Sequence, residues 1–152
     1  RARHRPGRAL PERTPDAIIA LPPQMLRECG VSPQKLGYLR DLCENVLDGR
    51  VNLTRIHRKS DEEVIEELVQ IKGIGRWTAQ MFLMFSLCRP DVFPVGDLGI
   101  KIALRDLYGF SALPSDDEAY AIAEPWRPFS TVASWYCWRS IDLKKREKAD
   151  QA

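Results

Sequence analysis

Two glycines separated by a single residue join two apolar, helix-forming stretches near the middle of the chain. Gly73 and Gly75 can adopt positive φ and carry no Cβ, which predicts a very tight turn between two helices. The second helix begins directly after Gly75, so several backbone N–H groups point the same way and the helix dipole adds to their positive potential. The turn therefore predicts a seat for one phosphate group. The alternative is a helix corner whose glycines only allow close packing.

Helix start signals recur along the rest of the chain. Thr14 and Ser32 each precede a proline, which is an N-cap followed by a residue favoured at the first helical position. Ser60 and Ser115 each have Glu three residues later, the pattern of a capping box. Apolar residues follow at helical spacing, and we find no convincing strand pattern. The sequence predicts an all-α fold, an irregular bundle of about seven to nine helices built around the glycine turn.

One domain is expected, covering residues 14–143 of the 152-residue chain. Residues 1–13 are rich in Arg and Pro without periodicity, which predicts a disordered segment or one outside the domain. The last helix is expected to run from about residue 129 to about residue 142. Residues 144–152 are predicted to form a charged C-terminal tail.

The composition of the chain bears on its binding partners and on its cellular compartment. The formal net charge is only +2, so no overall basic field indicates a nucleic-acid partner. The four cysteines are scattered without a C-x-x-C pair, which predicts free, buried thiols in a reducing compartment. No apolar run is long enough to span a bilayer or to form a signal peptide. We expect a soluble intracellular protein, cytoplasmic and associated with the nucleoid in a bacterium or nuclear in a eukaryote.

Asp97 follows a short turn and begins the helix after the long apolar one. Most aspartates at helix starts act only as N-caps. This position also has chemical value, because a helix N-terminus favours the ionised form of a carboxylate. A buried anion that faces a sugar can stabilise an oxocarbenium-like transition state or orient water toward C1′. Cleavage of an N-glycosidic bond requires that chemistry and needs no metal.

Two of the four tryptophans have positions that suit a binding cavity. Trp77 begins the helix after the glycine turn, and Trp138 lies near the end of the last predicted helix. Core packing is the ordinary role of such aromatics. Either indole could instead stack on a base turned out of a duplex, an interaction that suits a cationic alkylated purine.

Three segments carry a resemblance to a known family: IKGIGRWTA at 71–79, DVFPVGDLG at 91–99 and AEPWRPF at 123–129. The first resembles the helix-hairpin-helix element of DNA-repair proteins, which grips one DNA phosphate without reading sequence. In this order the three segments are similar to signatures of the HhH-GPD superfamily of DNA glycosylases. Within it they most resemble 3-methyladenine DNA glycosylase II, the AlkA-like enzymes. The resemblance covers roughly residues 14–142.

The resemblance implies a base-excision repair enzyme that removes alkylated purines, such as 3-methyladenine and 7-methylguanine, from double-stranded DNA. Asp97 matches the catalytic aspartate of the family. Trp77 and Trp138 match aromatic positions of the base pocket, and Met81 falls where some members have a pocket Tyr. The phosphate-binding hairpin matches Lys72, Gly73, Ile74, Gly75 and Thr78.

The resemblance also bears on the type of reaction. Related glycosylases with lyase activity have Lys where this chain has Trp77, and an amine can form a Schiff base whereas an indole cannot. A monofunctional enzyme that uses water is therefore expected. The cysteine cluster that holds iron–sulfur in the endonuclease III branch is missing, so we expect no cofactor and no metal. The expected partner is DNA, bound by a monomer.

Two other interpretations stay open. Members of the family have further helices before the position of residue 1, which implies a domain that is incomplete at its N-terminus. The chain is then a truncated, non-catalytic helix-hairpin-helix domain that binds DNA. A helical protein–protein adaptor is the other interpretation. Base release separates the first two, and DNA affinity at low salt separates both from the adaptor.

Overall fold

The computed structural model describes residues 14–150, which contain eight α-helices and no strand. The helices α1 to α8 are Pro15–Ala20, Pro23–Glu28, Pro33–Leu47, Asp61–Leu68, Arg76–Phe85, Leu98–Tyr108, Asp116–Ala123 and Ser130–Asp150. Two 3-10 helices, Ile56–Arg58 and Glu124–Trp126, lie in the connections. The prediction of an all-α fold is confirmed. The disorder expected for residues 1–13 lies outside the described residues.

The helices begin at the residues that the sequence predicts as caps. The Thr14 and Ser32 side chains each accept a hydrogen bond from the backbone N–H three residues later. Complete capping boxes form at Ser60 and Ser115, with Glu bonding back to the backbone of the cap in both cases. The start of α5 differs, because its N-cap is Gly75 and no side chain caps the helix.

The last helix is longer than the sequence predicts. Helix α8 continues to Asp150, through residues that were expected to form a charged tail. The Lys144 ammonium lies 3.1 Å from the Asp106 carboxylate of α6, which ties this part of α8 to its neighbour. Residues 145–147, 149 and 150 are exposed, and the sequence from 145 to 150 has no apolar periodicity that could reveal it as helical. Lysine, arginine and glutamate nevertheless have high helix propensity.

Buried apolar side chains form two clusters. The first lies around α4 and α5 and includes Val64, Leu68 and Leu83. The second lies around α6 and includes Ile100 and Leu104. Trp138 of α8 packs against both clusters, so it lies where they meet.

The four cysteines are free thiols, as expected, but only two of them are buried. Cys43 and Cys137 lie in helices and face the interior, whereas Cys29 and Cys88 are exposed. The prediction of burial is wrong for the exposed pair because both lie where helices end, Cys29 at the C-cap of α2 and Cys88 shortly after α5. Within residues 14–150, no helix combines the length and the apolar character needed to cross a membrane.

Candidate active site

Asp97 is the N-cap of α6 and is fixed there by the preceding turn. Its backbone is extended, with φ −76° and ψ 120°, and its N–H donates to the carbonyl of Pro94 at 2.9 Å. Oδ1 accepts the backbone N–H of Ile100 at 2.8 Å, which caps the helix. The ordinary role of a helix-start aspartate is therefore present. Because one oxygen bonds the helix, the position of the carboxylate is set by α6.

Two indole N–H groups converge on the same carboxylate. Trp138 Nε1 donates to Asp97 Oδ1 at 2.8 Å, and Trp77 Nε1 donates to Asp97 Oδ2 at 2.8 Å. With the N–H of Ile100, three donors from α5, α6 and α8 hold the two oxygens. A carboxylate has lone pairs for all three bonds and for further acceptance. The structure thus brings together three of the residues that the sequence predicts for the site.

Gly99 provides the space for this arrangement. A Cβ at position 99 would lie 2.9 Å from Asp97 Oδ1 and 3.1 Å from Trp138 Cδ1. Reasoning from the sequence missed Gly99 as a site residue. The available signal was a glycine inside the first turn of a helix, where it is less favourable than alanine by about 1 kcal/mol.

The two indoles bond Asp97 through their edges, a contact that the sequence did not predict. The hypothesis that either indole stacks on a base concerns the faces of the rings. Trp77 remains 49% exposed. The ring of Trp138 lies 6.1 Å from that of Phe85, centroid to centroid. Met81, one turn after Trp77 on α5, is partly buried and packs against the first core cluster. A base-stacking role of the two indoles and a place for Met81 in the base pocket stay predictions.

An exposed apolar surface adjoins Trp138. We call it the α8 apolar face, and its members are each at least half exposed: Phe85, Phe129, Val132, Trp135 and Tyr136. Phe85 links this face to the site through its contact with Trp138. In the part of the chain that the structure describes, an exposed apolar surface therefore lies next to the candidate site.

The glycine hairpin between α4 and α5 has the predicted tight turn. Gly73 has φ +84°, the left-handed region, and the N–H of Ile74 donates to the carbonyl of Ile71 at 3.0 Å. Gly75 does not adopt the positive φ that is open to it, and its backbone is extended, with φ −95°. A Cβ on Gly75 would meet nothing within 4 Å. The space in front of Gly75 is thus open to a ligand.

Several backbone N–H groups of the hairpin have no acceptor within residues 14–150. Five helices, α1, α3, α4, α6 and α7, use a side-chain oxygen to cap their first turn, whereas α2 and α5 do not. The uncapped groups are the N–H groups of Gly73, Gly75, Arg76, Trp77 and Thr78. An uncapped helix N-terminus after a glycine turn suits an anionic ligand, because N–H dipoles and the helix dipole add.

The basic side chains of the hairpin are already paired with acids. The Arg76 guanidinium donates to both oxygens of Glu62, at 2.7 and 2.8 Å. This hydrogen bonding lowers the pKa of the Glu62 carboxyl and raises the pKa of the Arg76 guanidinium. Lys72 Nζ lies 3.2 Å from Asp41 Oδ1. Positive potential at the hairpin therefore comes chiefly from the backbone N–H groups.

The surroundings of Asp97 do not form a metal site. Its three neighbours are N–H donors, which cannot ligate a cation. Across residues 14–150, no group of three or more His, Cys, Asp or Glu side chains is placed to hold a metal ion. A separate cavity between α4, α5 and α7 contains the paired Arg76 and Glu62 but not Asp97.

Comparison with known proteins agrees with this geometry. Residues 7–128 match the family model described as HhH-GPD superfamily base excision DNA repair protein. DNA-3-methyladenine glycosylase 1 of Schizosaccharomyces pombe is 39% identical over 131 residues, which is 86% of this chain and 58% of that protein. A putative DNA-3-methyladenine glycosylase of Bacillus subtilis, YfjP, is 35% identical over 128 residues, 84% of this chain and 45% of its own length.

Solved structures show the same fold. The 3-methyladenine DNA glycosylase of Schizosaccharomyces pombe in complex with abasic DNA superposes with a TM-score of 0.74 at 39% identity, covering 83% of this chain and 62% of that one. A DNA-3-methyladenine glycosidase from Bacillus halodurans gives a TM-score of 0.76 at 39% identity, covering 84% and 58%. The chain belongs to the HhH-GPD superfamily of base excision DNA repair proteins. It spans 45% to 58% of the length of the two relatives compared by sequence.

Proposed function

We propose that the chain carries the catalytic site of a DNA glycosylase that removes alkylated purines from double-stranded DNA. The observation that supports this most directly is the carboxylate of Asp97, held by donors from three helices beside an uncapped glycine hairpin. Relatives named DNA-3-methyladenine glycosylase support the choice of substrate. The hairpin binds one phosphate through its N–H groups and sets the position of the strand relative to Asp97.

Asp97 supplies a fixed negative charge where positive charge develops. Departure of the base leaves an oxocarbenium-like sugar, which a preorganised carboxylate stabilises, and the same group orients water toward C1′. An alkylated purine that is already cationic is a good leaving group, so one carboxylate is sufficient. Trp77 stands where a lyase would have Lys, so water is the nucleophile and the products are free base and an abasic site.

The test is release of free base from methylated duplex DNA by the wild type, Asp97→Asn and a control, Asp117→Asn. Asp117 is an exposed aspartate in the first turn of α7 and is remote from Asp97 in sequence. The wild type and Asp117→Asn should release base at equal rates. Asp97→Asn should be slower by about 100-fold or more, the usual effect of losing a transition-state electrostatic partner, while retaining DNA affinity. Equal release by Asp97→Asn would exclude the proposed role of Asp97.

The second candidate function is a DNA-binding domain without base release. The observation that favours it is the α8 apolar face, whose side chains are at least half exposed beside Trp138 among the described residues. Under this alternative the wild type and Asp97→Asn bind duplex DNA with equal, salt-dependent affinity, and neither releases base. A chain with no affinity for DNA at low salt would contradict both candidates.

A further inference from the structure

We propose that Tyr38 and Asp41, on one face of α3, are positioning residues that hold the glycine hairpin in the shape that binds a phosphate. The contacts are observed in the hairpin itself, and only their use for DNA rests on the proposed function. Neither residue belongs to the segments that carry the family resemblance. Asp41 bonds the backbone of Lys72, and Tyr38 packs against the backbone of Gly73.

Asp41 holds the first residue of the turn by two contacts. Its Oδ2 accepts the backbone N–H of Lys72 at 2.8 Å, although 31 residues separate the two in sequence. Its Oδ1 lies 3.2 Å from Lys72 Nζ. The Asp41 side chain is only 15% exposed. The hydrogen bond from the Lys72 backbone lowers the pKa of the Asp41 carboxyl, as expected for an anion that binds an N–H group.

The orientation of the Asp41 carboxylate is set from within α3. Asn45 Nδ2 donates to Asp41 Oδ2 at 3.2 Å and to the Asp41 carbonyl at 2.7 Å. Asn45 is 2% exposed, so its side chain has little freedom. Asp41 therefore presents a fixed oxygen to the hairpin, because both its own helix and Asn45 restrain it.

Tyr38 supports the next residue of the turn. A Cβ built on Gly73 would lie 2.3 Å from Tyr38 Cδ2, which shows that the aromatic ring packs directly against the glycine. The Tyr38 hydroxyl accepts a hydrogen bond from Gln34 Nε2 at 2.7 Å. Positions 34, 38, 41 and 45 follow helical spacing and share one face of α3. This face is a platform for the hairpin.

The platform decides which N–H groups remain available. The Asp41 carboxylate accepts a hydrogen bond from the N–H of Lys72, and the carbonyl of Ile71 accepts one from the N–H of Ile74. Among the residues that the structure describes, the N–H groups of Gly73, Gly75 and the first turn of α5 have no acceptor. A carboxylate beside a phosphate-binding site repels the phosphate. Asp41 can therefore assist binding only by fixing the conformation of the turn. The acceptor oxygen of Asp41, not its charge, is the feature that matters.

The test compares affinity for an undamaged DNA duplex among the wild type, Asp41→Asn, Asp41→Ala and Tyr38→Ala. Asp41→Ala loses the acceptor, and we expect about tenfold weaker binding. Asp41→Asn keeps a carbonyl acceptor and removes the negative charge, so its affinity should equal or exceed that of the wild type. Tyr38→Ala should bind more weakly, and because Tyr38 is 37% exposed, its removal leaves no fully buried cavity.

Asp91→Ala is the matched control for a loss of stability. Asp91 also accepts a backbone N–H, that of Ser130 at 3.3 Å, and it is 23% exposed. Its removal should lower the melting temperature without changing DNA affinity below that temperature. Affinity of Asp41→Ala equal to that of the wild type would overturn the proposal. If Asp41→Asn and Asp41→Ala weaken DNA binding equally, the acceptor oxygen of Asp41 is not the feature that supports binding.

Amide hydrogen exchange separates this proposal from the proposed function. In Asp41→Ala the Lys72 amide should exchange faster while the core of α5 stays protected. Exchange unchanged from the wild type would overturn the proposal whether or not DNA binds. If the wild type binds DNA but releases no base, the proposed glycosylase function is wrong. The affinity comparison among the variants then still tests the role of Tyr38 and Asp41. If the wild type binds no DNA, the exchange measurement decides alone.

Discussion

Trp138 Nε1 lies 2.8 Å from Asp97 Oδ1, although 41 residues separate the two in sequence. Trp77 reaches the other oxygen of the same carboxylate at the same distance. Rotation of the carboxylate would break both bonds and the bond to the N–H of Ile100. The orientation of Asp97 is therefore fixed by the protein before any ligand arrives, which is the condition for electrostatic preorganisation.

Trp138→Phe should weaken catalysis more than binding. The substitution keeps an aromatic ring and removes one of the three donors to Asp97, so only Ile100 and Trp77 still restrain the carboxylate. We expect single-turnover base release about tenfold slower, the loss that follows from one hydrogen bond to a charged group, with little change in DNA affinity. Trp135→Phe is the control, because Trp135 lies on the α8 apolar face and is 51% exposed. Equal slowing in both variants would contradict the role assigned to the indole N–H.

Gly99→Ala should reduce activity with only a small net change in stability, because the gain in helix propensity offsets part of the cost of overpacking. Alanine in a helix is favoured over glycine by about 1 kcal/mol, but its Cβ would lie 2.9 Å from Asp97 Oδ1 and displace the carboxylate or Trp138. Gly96→Ala is the control, since a Cβ there meets nothing within 4 Å. The measurements are base release at saturating DNA and thermal unfolding. Full activity in Gly99→Ala would show that the site tolerates the shift.

Gly73→Ala and Gly30→Ala isolate the contact between the hairpin and Tyr38. The two glycines have nearly the same backbone, φ +84° and φ +85°, but a Cβ at Gly30 meets nothing within 4 Å. Left-handed strain alone costs about 1–2 kcal/mol, and Gly73→Ala should lose a further 1–3 kcal/mol, roughly, through overpacking against Tyr38. Urea unfolding measures both losses. In the double variant Tyr38→Ala/Gly73→Ala, the additional loss of stability caused by overpacking should disappear. Equal losses of stability in Gly73→Ala and Gly30→Ala would contradict the contact with Tyr38.

The helix starts were predictable because their causes are local. Ser60 and Ser115 bond groups three residues away, so the pattern is visible in the sequence. The turn at Gly73 was predictable for the same reason. The end of α8 could not be predicted in this way, because the helix continues after Asp142. Apolar periodicity is the sequence signal that separates a helix from a charged tail, and this segment does not have it.

The geometry of the candidate site depends on contacts between distant parts of the chain. Resemblance to the family indicated Asp97, Trp77 and Trp138, but it did not reveal that both indoles bond the carboxylate by their edges. Asp41 gave no signal at all, because an aspartate on a polar helix face is normally solvated. Its role can be recognised only from the folded structure, in which the Lys72 backbone N–H bonds its carboxylate.

Burial of the Cys137 thiol predicts a loss of stability in alkaline solution. Desolvation raises the pKa of this thiol from 9.0 to about 11 in the folded protein. The unfolded thiol loses its proton above pH 9.0, whereas the folded thiol keeps it until about pH 11, so the unfolded state binds fewer protons in that window. The free energy of unfolding should then fall by about 1.4 kcal/mol per pH unit from this group. Below the window both states are protonated and the contribution is flat.

Cys137→Ala should remove this component of the pH dependence. Cys88→Ala is the control, because Cys88 is exposed and its substitution should leave the alkaline loss intact. Urea unfolding of the wild type and both variants, on either side of pH 9.0, gives the slope for each protein. Burial also raises the pKa of Cys43, so Cys137→Ala should keep a smaller residual slope. The same alkaline slope in Cys137→Ala and the wild type would show that the Cys137 thiol ionises without unfolding the chain.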